Sequence, residues 1–257
     1  MTDLSRPWPF GLGEKRWWIT VAGILVLLGA ALLGDRQFSL LAQGWPEAIR
    51  TVINQFTPYG ESAWILWPSA GLYVITVLVA LLVRWKLMRT MLWQFAALYA
   101  FIFCGVGAPS LFTTIVKRIV GRGRPVHFDE TGLLGLKWNL WDWTYQSFPS
   151  GHATTAFALA AVLGFLSERW FYPALLLAAV IGLSRITLGV HYPSDVLAGA
   201  VIGLLGAYAI RFVFAGRSWM FVRSPDGRIT ARPLSSLRRY LALKRRGNAP
   251  KRQQDRP

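Results

Sequence analysis

Residues 90–116 read TMLWQFAALYAFIFCGVGAPSLFTTIV, a run without one charged side chain. As a helix rising 1.5 Å per residue it would extend roughly 40 Å, more than the ~30 Å of a bilayer's hydrocarbon core. Gly105, Gly107 and Pro109 inside it mark a kink or a close helix contact. Working outward, five more apolar stretches are long enough to cross: 17–33, 62–83, 150–167, 170–190 and 195–210. Six spans predict an all-α polytopic membrane protein. The first span follows Lys15 and Arg16 and resembles a signal peptide at its start. No small-x-small cleavage site follows, so it reads as an anchor.

The composition agrees: 54% of the 257 residues are hydrophobic, 13 of them Trp, and they fall in blocks. The single cysteine excludes an internal disulfide framework and a thiol-built metal site. A formal net charge of +16 would suggest nucleic acid for a soluble chain. Here the cations flank apolar blocks, which points to membrane orientation and anionic lipid instead.

Short basic segments orient the spans. Arg6, Lys15 and Arg16 precede the first; Arg84, Lys86 and Arg89 crowd the turn between the second and third. The tail carries Arg238, Arg239, Lys244, Arg245 and Arg246. The positive-inside rule makes these cytoplasmic, with both termini inside and the segments 34–61, 117–149 and 191–194 outside. Residues 1–16 are thus a cytoplasmic lead, 17–212 a membrane domain, and 213–257 a basic tail, either solvated or touching anionic lipid. In 34–61, Phe38, Leu41, Trp45, Ile49, Val52 and Phe56 recur at helical spacing, as in a helix lying on the outer surface or packed against the bundle.

Several charges break the orientation rule. Lys117, Arg118, Arg122 and Arg124 open an outer loop. Snorkelling at the end of a span accounts for Arg118 and Arg122 as well as any function does. Arg185 lies a turn or so inside the fifth span, where an ionisable group needs a partner, and an ion pair with Asp195 is the simplest one. Topology brings Lys117, Arg124, Ser150, His152, Arg185, His191 and Asp195 to one membrane face.

Such a set suits a phosphoryl group. Arg124 and Arg185 offer forked donors, and Lys117 a point charge. Ser150 and Gly151 open a helix whose free N–H groups favour an anion. One imidazole can attack phosphorus while the other protonates the leaving oxygen, and Asp195 can orient the ring of His191. Ser150 and Asp195 read equally as helix caps. His127 reads as an ordinary loop histidine. Trp138, Trp141, Trp143 and Tyr145 read as interfacial anchors beside the site.

These residues carry a resemblance. Residues 117–125 read K-R-I-V-G-R-G-R-P, 149–152 read P-S-G-H, and 184–195 read S-R-I-T-L-G-V-H-Y-P-S-D. Together they resemble the three elements, complete and in order, of the type 2 phosphatidic acid phosphatase superfamily, over about residues 20–212. The resemblance implies a cofactor-free, metal-independent, two-step hydrolysis. His191 would form a phosphohistidine, Asp195 would orient it, and His152 would protonate the leaving group. Lys117, Arg124, Ser150, Gly151 and Arg185 would cradle the phosphate. The spans make a lipid-borne phosphate the natural substrate, the compact layout without an Asn-x-Ser/Thr acceptor suits a bacterial inner membrane, and the basic segments put the site on its outer face. A phosphotransferase, with an acceptor hydroxyl in place of water, would use the same site. Which lipid is bound, and the oligomeric state, are not legible in the residues.

Overall fold

The computed structural model describes residues 3–132, 134–138 and 141–232. Helices dominate: α1 (Trp17–Gln43), α2 (Glu47–Asn54), α3 (Ala63–Leu82), α4 (Lys86–Val120), the single turn α5 (Phe128–Thr131), α6 (Gly151–Leu166), α7 (Phe171–Thr187) and α8 (Pro193–Gly216). Among the described residues five helices are long and apolar enough to cross a membrane: α1, α3, α4, α7 with the turn before it, and α8. The sixth expected span is the shorter α6, 16 residues and so roughly 24 Å long.

That shortness goes with position. α6 is the central helix, packed against α4, α7 and α8, while α3 lies on α4 and α1 on α7 and α8. Its residues are largely buried, whereas the apolar window of α1 has none buried. Side chains such as Leu33 and Leu82, 80% and 82% exposed in the isolated chain, belong against lipid. The core joins Phe101 and Val106 of α4, Val162 and Phe165 of α6, and Tyr208 and Phe214 of α8. α6 and α8 touch backbone to backbone. A Cβ on Gly199 would lie 2.4 Å from the Ser150 carbonyl oxygen, and one on Gly203 2.4 Å from that of Thr154. Gly105 and Gly107 are likewise close contacts, against Val162 and Leu66.

Three features differ from expectation. α1 runs ten residues past 33, to Gln43, and carries Asp35 into the protein. The surface stripe is broken at Gly44 and Pro46 into the end of α1 and the separate α2, because Pro46 has no N–H to continue the ladder. The tail's composition suggests a solvated extension from 213. α8 instead continues to Gly216, and β1 (Phe221–Arg223) pairs antiparallel with β2 (Ile229–Ala231). This hairpin buries Phe221 and Ile229 in the core beside Leu4. The basic cluster from Arg238 to Arg246 lies outside the described residues.

Candidate active site

Four helix ends meet at one end of the bundle. α4 stops at Gly121, which adopts a left-handed φ of 63° and donates its N–H to Lys117 O at 3.1 Å. A Cβ there would sit 2.5 Å from the carbonyl oxygen of Lys137, so glycine is required for the chain to turn back. Residues 122–124 are then clamped from both sides. Gly123 N donates to Gly135 O (2.9 Å), Arg124 N to Thr144 O (2.8 Å) and Ser147 N to Arg122 O (3.0 Å). Residues two apart in an extended stretch share a face, which sends Arg122 and Arg124 inward together.

His191 stands in the turn between α7 and α8, its N–H on Arg185 O at 3.2 Å and its ring 2% exposed. Its Nδ1 lies 3.6 Å from Asp195 Oδ2 and 3.5 Å from Ser147 Oγ. A carboxylate on the Nδ1 side holds the proton there and leaves Nε2 with its lone pair. Burial pushes the imidazole down to about 4; Asp195 opposes that shift, and Lys117 and Arg124 add to it. The ring is therefore neutral at physiological pH.

Asp195 is fully buried and fully engaged. It accepts from Arg122 Nη1 at 2.6 Å, Ser147 Oγ at 2.5 Å and Tyr192 N at 2.9 Å. The second branch of Arg122 donates to Asp35 Oδ2 at 2.7 Å. Asp35 also accepts from Ser194 N (2.9 Å) and Ser194 Oγ (2.5 Å). Arg122 lies 4.4 Å over the Tyr192 ring. Carboxylates outweigh burial and raise its pKa, so it stays charged. Arg122 is thus no snorkelling residue; at 3% exposure it is the middle of a buried ion cluster. The sequence reading missed Asp35, Ser147 and Ser194. An acidic residue just past an apolar block was the one available signal, and it reads as an interfacial charge.

The remaining cations form the other half of the site. Lys117, Arg124, Arg185 and His191 all lie near enough to His152 to act on its charge. Among the described residues, none of Lys117, Arg124 and Arg185 has a carboxylate within 4 Å. The expected Arg185–Asp195 pair does not form, because Asp195 is taken by Arg122. Arg124 instead lies 4.5 Å over the Trp143 ring, and the buried Nε atoms of Arg124 and Arg185 have no partner among the described residues. Ser150 is the α6 N-cap, accepting from Ala153 N at 3.5 Å. A Cβ on Gly151 would meet only Lys117 Nζ, 3.5 Å away. His152 is seated by the turn Thr57–Gly60: a Cβ on Gly60 would come within 2.8 Å of its Cβ and Cδ2.

His127 proves a loop clamp, Nε2 on Thr144 Oγ1 at 2.8 Å and its ring stacked on Tyr145. Tyr145 is accordingly buried, while Trp138, Trp141 and Trp143 are exposed. Among the described residues no three His, Cys, Asp or Glu side chains gather as metal ligands would.

Comparison with known proteins places the chain in a family. Residues 95–219 match the model of the PAP2 superfamily. The chain is 31% identical over 235 residues to the lipid A 1-phosphatase of Rhizobium johnstonii, covering 88% of this chain and 93% of that protein. The chain belongs to the PAP2 superfamily. The lipid A 1-phosphatase of Rhizobium etli, another relative, is 32% identical over 71% of this chain and 78% of its own. The crystal structure of the first transmembrane PAP2 type phosphatidylglycerolphosphate phosphatase from Bacillus subtilis superposes with a TM-score of 0.48 at 23% identity, covering 76% of this chain and 96% of that one. The matched PAP2 segment holds every motif residue above and leaves out α1 to α3, and with them Asp35.

Proposed function

We propose that this PAP2 protein hydrolyses a lipid phosphate through a phosphohistidine on His191, without a metal ion. The observation that carries the reading is three cations without carboxylate partners, gathered around two imidazoles at the N-terminus of α6. Cations beside apolar spans are costly unless an anion completes them, and the three non-bridging oxygens of a phosphate dianion suit two forked arginines and one lysine.

In this mechanism Nε2 of His191 attacks phosphorus while Nδ1–H rests against Asp195. The P–O bond to the lipid breaks, and the leaving oxygen takes a proton from His152, whose protonated form the bound dianion favours. Water then attacks the phosphohistidine and returns its proton to His152, releasing phosphate and free His191. Lys117, Arg124, Arg185 and the N–H groups behind Ser150 and Gly151 hold the non-bridging oxygens throughout.

Among phosphatidic acid, phosphatidylglycerol phosphate, undecaprenyl diphosphate and lipid A, the extended similarity to lipid A 1-phosphatases favours a lipid A phosphate. The distribution of basic residues supports both termini in the cytoplasm of a bacterial inner membrane, with the site on the outer face and the basic tail on anionic lipid. Mass spectrometry of products from that lipid panel, in detergent with EDTA, tests the reading. Free phosphate and the dephosphorylated lipid are expected. Phosphate appearing only on an added acceptor would replace hydrolysis by transfer, and a need for added metal would remove the mechanism.

A further inference from the structure

The Asp35–Arg122–Asp195 cluster has more structure than a cap or an ion pair needs. Arg122 bridges two carboxylates, at 2.7 Å to Asp35 and 2.6 Å to Asp195. The side chains of Arg122, Asp35 and Asp195 are 4%, 0% and 0% exposed. Two anions against one cation leave the cluster with a surplus negative charge. Burying that surplus is costly, and Lys117 and Arg124 lie close enough to Asp195 to offset part of it. Among the described residues the neighbour that acquires positive charge in the proposed reaction is His191, whose Nδ1 faces Asp195. Its ring turns cationic when Nε2 takes the phosphoryl group.

We propose that Asp35 and Arg122 are positioning residues for the nucleophile, acting through Asp195. Arg122 fixes the rotation of the Asp195 carboxylate, so that Oδ1 is held from behind and Oδ2 is aimed at His191. Asp35 draws the guanidinium the other way and keeps it from neutralising Asp195. Ser194 locks the corner, accepting from Arg122 at 2.8 Å and donating to Asp35 at 2.5 Å. α1 is therefore part of the catalytic centre as well as an anchor, although it lies outside the residues that match the family model.

The inference rests on the proposed phosphohistidine reading, but one readout needs no turnover. The groups that face His191 are Asp195 from α8, Lys117 from α4, Arg124 from the 122–124 stretch and His152 from α6. Asp35→Asn leaves all four in place and removes only the surplus charge behind Asp195. In the full chain in detergent, the His191 midpoint read by ¹⁵N-histidine NMR should move to lower pH. On the lipid substrate, kcat should fall about tenfold or more with KM within about twofold, the scale on which removing an outer carboxylate acts. Arg122→Gln should lower kcat likewise while moving the His191 midpoint to higher pH, since it removes a positive charge, and Arg122→Lys should recover part of the rate. Should Asp35→Asn fail to fold, Ser194→Ala removes one hydroxyl from the same corner and should lower kcat about threefold at unchanged KM, roughly one hydrogen bond's worth. An unchanged His191 midpoint, or loss of folded protein with full kcat in what remains, would overturn the positioning role. A wild type inert on every lipid would sink the phosphatase reading alone, since the His191 midpoint in wild type and variant still decides the inference.

Discussion

At the residue scale, the proposed chemistry turns on a histidine that is buried yet kept uncharged. His191 is 2% exposed, and burial, aided by Lys117 and Arg124 against the pull of Asp195, brings its pKa to about 4. The sign follows: the neutral imidazole that the proposed attack needs is present above that pH and is lost as pH falls through it. Histidine-selective NMR should show His191 neutral from pH 8 down to about 5, well below the ordinary midpoint of about 6.5. A midpoint near 6.5 would mean that water reaches the ring. Lys117, Arg124, His152, Arg185, His191 and Asp195 were legible because each lies in a short motif whose residues meet in the fold. Asp35 and Arg122 were not. They are 87 positions apart, each resembles an ordinary charge at a membrane interface, and only the packing of α1 against α8 reveals that they pair.

At the element scale, the site depends on how closely α6 approaches α8. The backbone contacts at Gly199 and Gly203 set the N-terminus of α6 beside the start of α8, where Ser150 N donates to Asp195 O at 2.9 Å. Gly203→Leu should force the helices apart and lower stability by about 3 kcal/mol, the upper range for overpacking, seen as a lower Tm. Gly151→Ala is a different case. The protein offers its Cβ only Lys117 Nζ, so the variant should fold as wild type. Its effect should appear as a KM raised several-fold, because the methyl occupies space assigned to the phosphate. An unchanged KM would place the phosphate elsewhere. Helix boundaries were legible at Leu82 before Arg84, where an apolar block stops at a charge, but not in α4, which runs past Arg89 and Lys117 to Lys86 and Val120. They were misread at the end of α1, where Asp35 and Arg36 resemble the edge of a span but the helix continues, because Asp35 is buried against protein and not exposed to water.

At the scale of the whole molecule, the end of the bundle opposite the site is tied by another buried cation. Arg211, 1% exposed, donates to the carbonyls of Leu4, Arg6 and Pro7 and lies 4.1 Å over Phe165. It fastens the N-terminal segment to α8, and the hairpin packs alongside. Arg211→Met should leave the buried Leu4 carbonyl and the half-buried ones of Arg6 and Pro7 without this donor, costing about 2 kcal/mol or roughly 4–8 °C in Tm. The rate per folded molecule should be unchanged, since the site is roughly 24 Å away along α8. Membrane character was legible from the blocks of apolar residues. The packed hairpin was not, because two three-residue strands within a basic tail carry no pattern of their own. The central claim is that His191 cleaves a lipid phosphate, and the most direct test is phosphate release from 1-phosphorylated lipid A by purified protein in EDTA, wild type against His191→Ala. Release by the wild type, with a loss of about a thousandfold or more in a folded variant, is the predicted result. Full activity in His191→Ala would contradict the account.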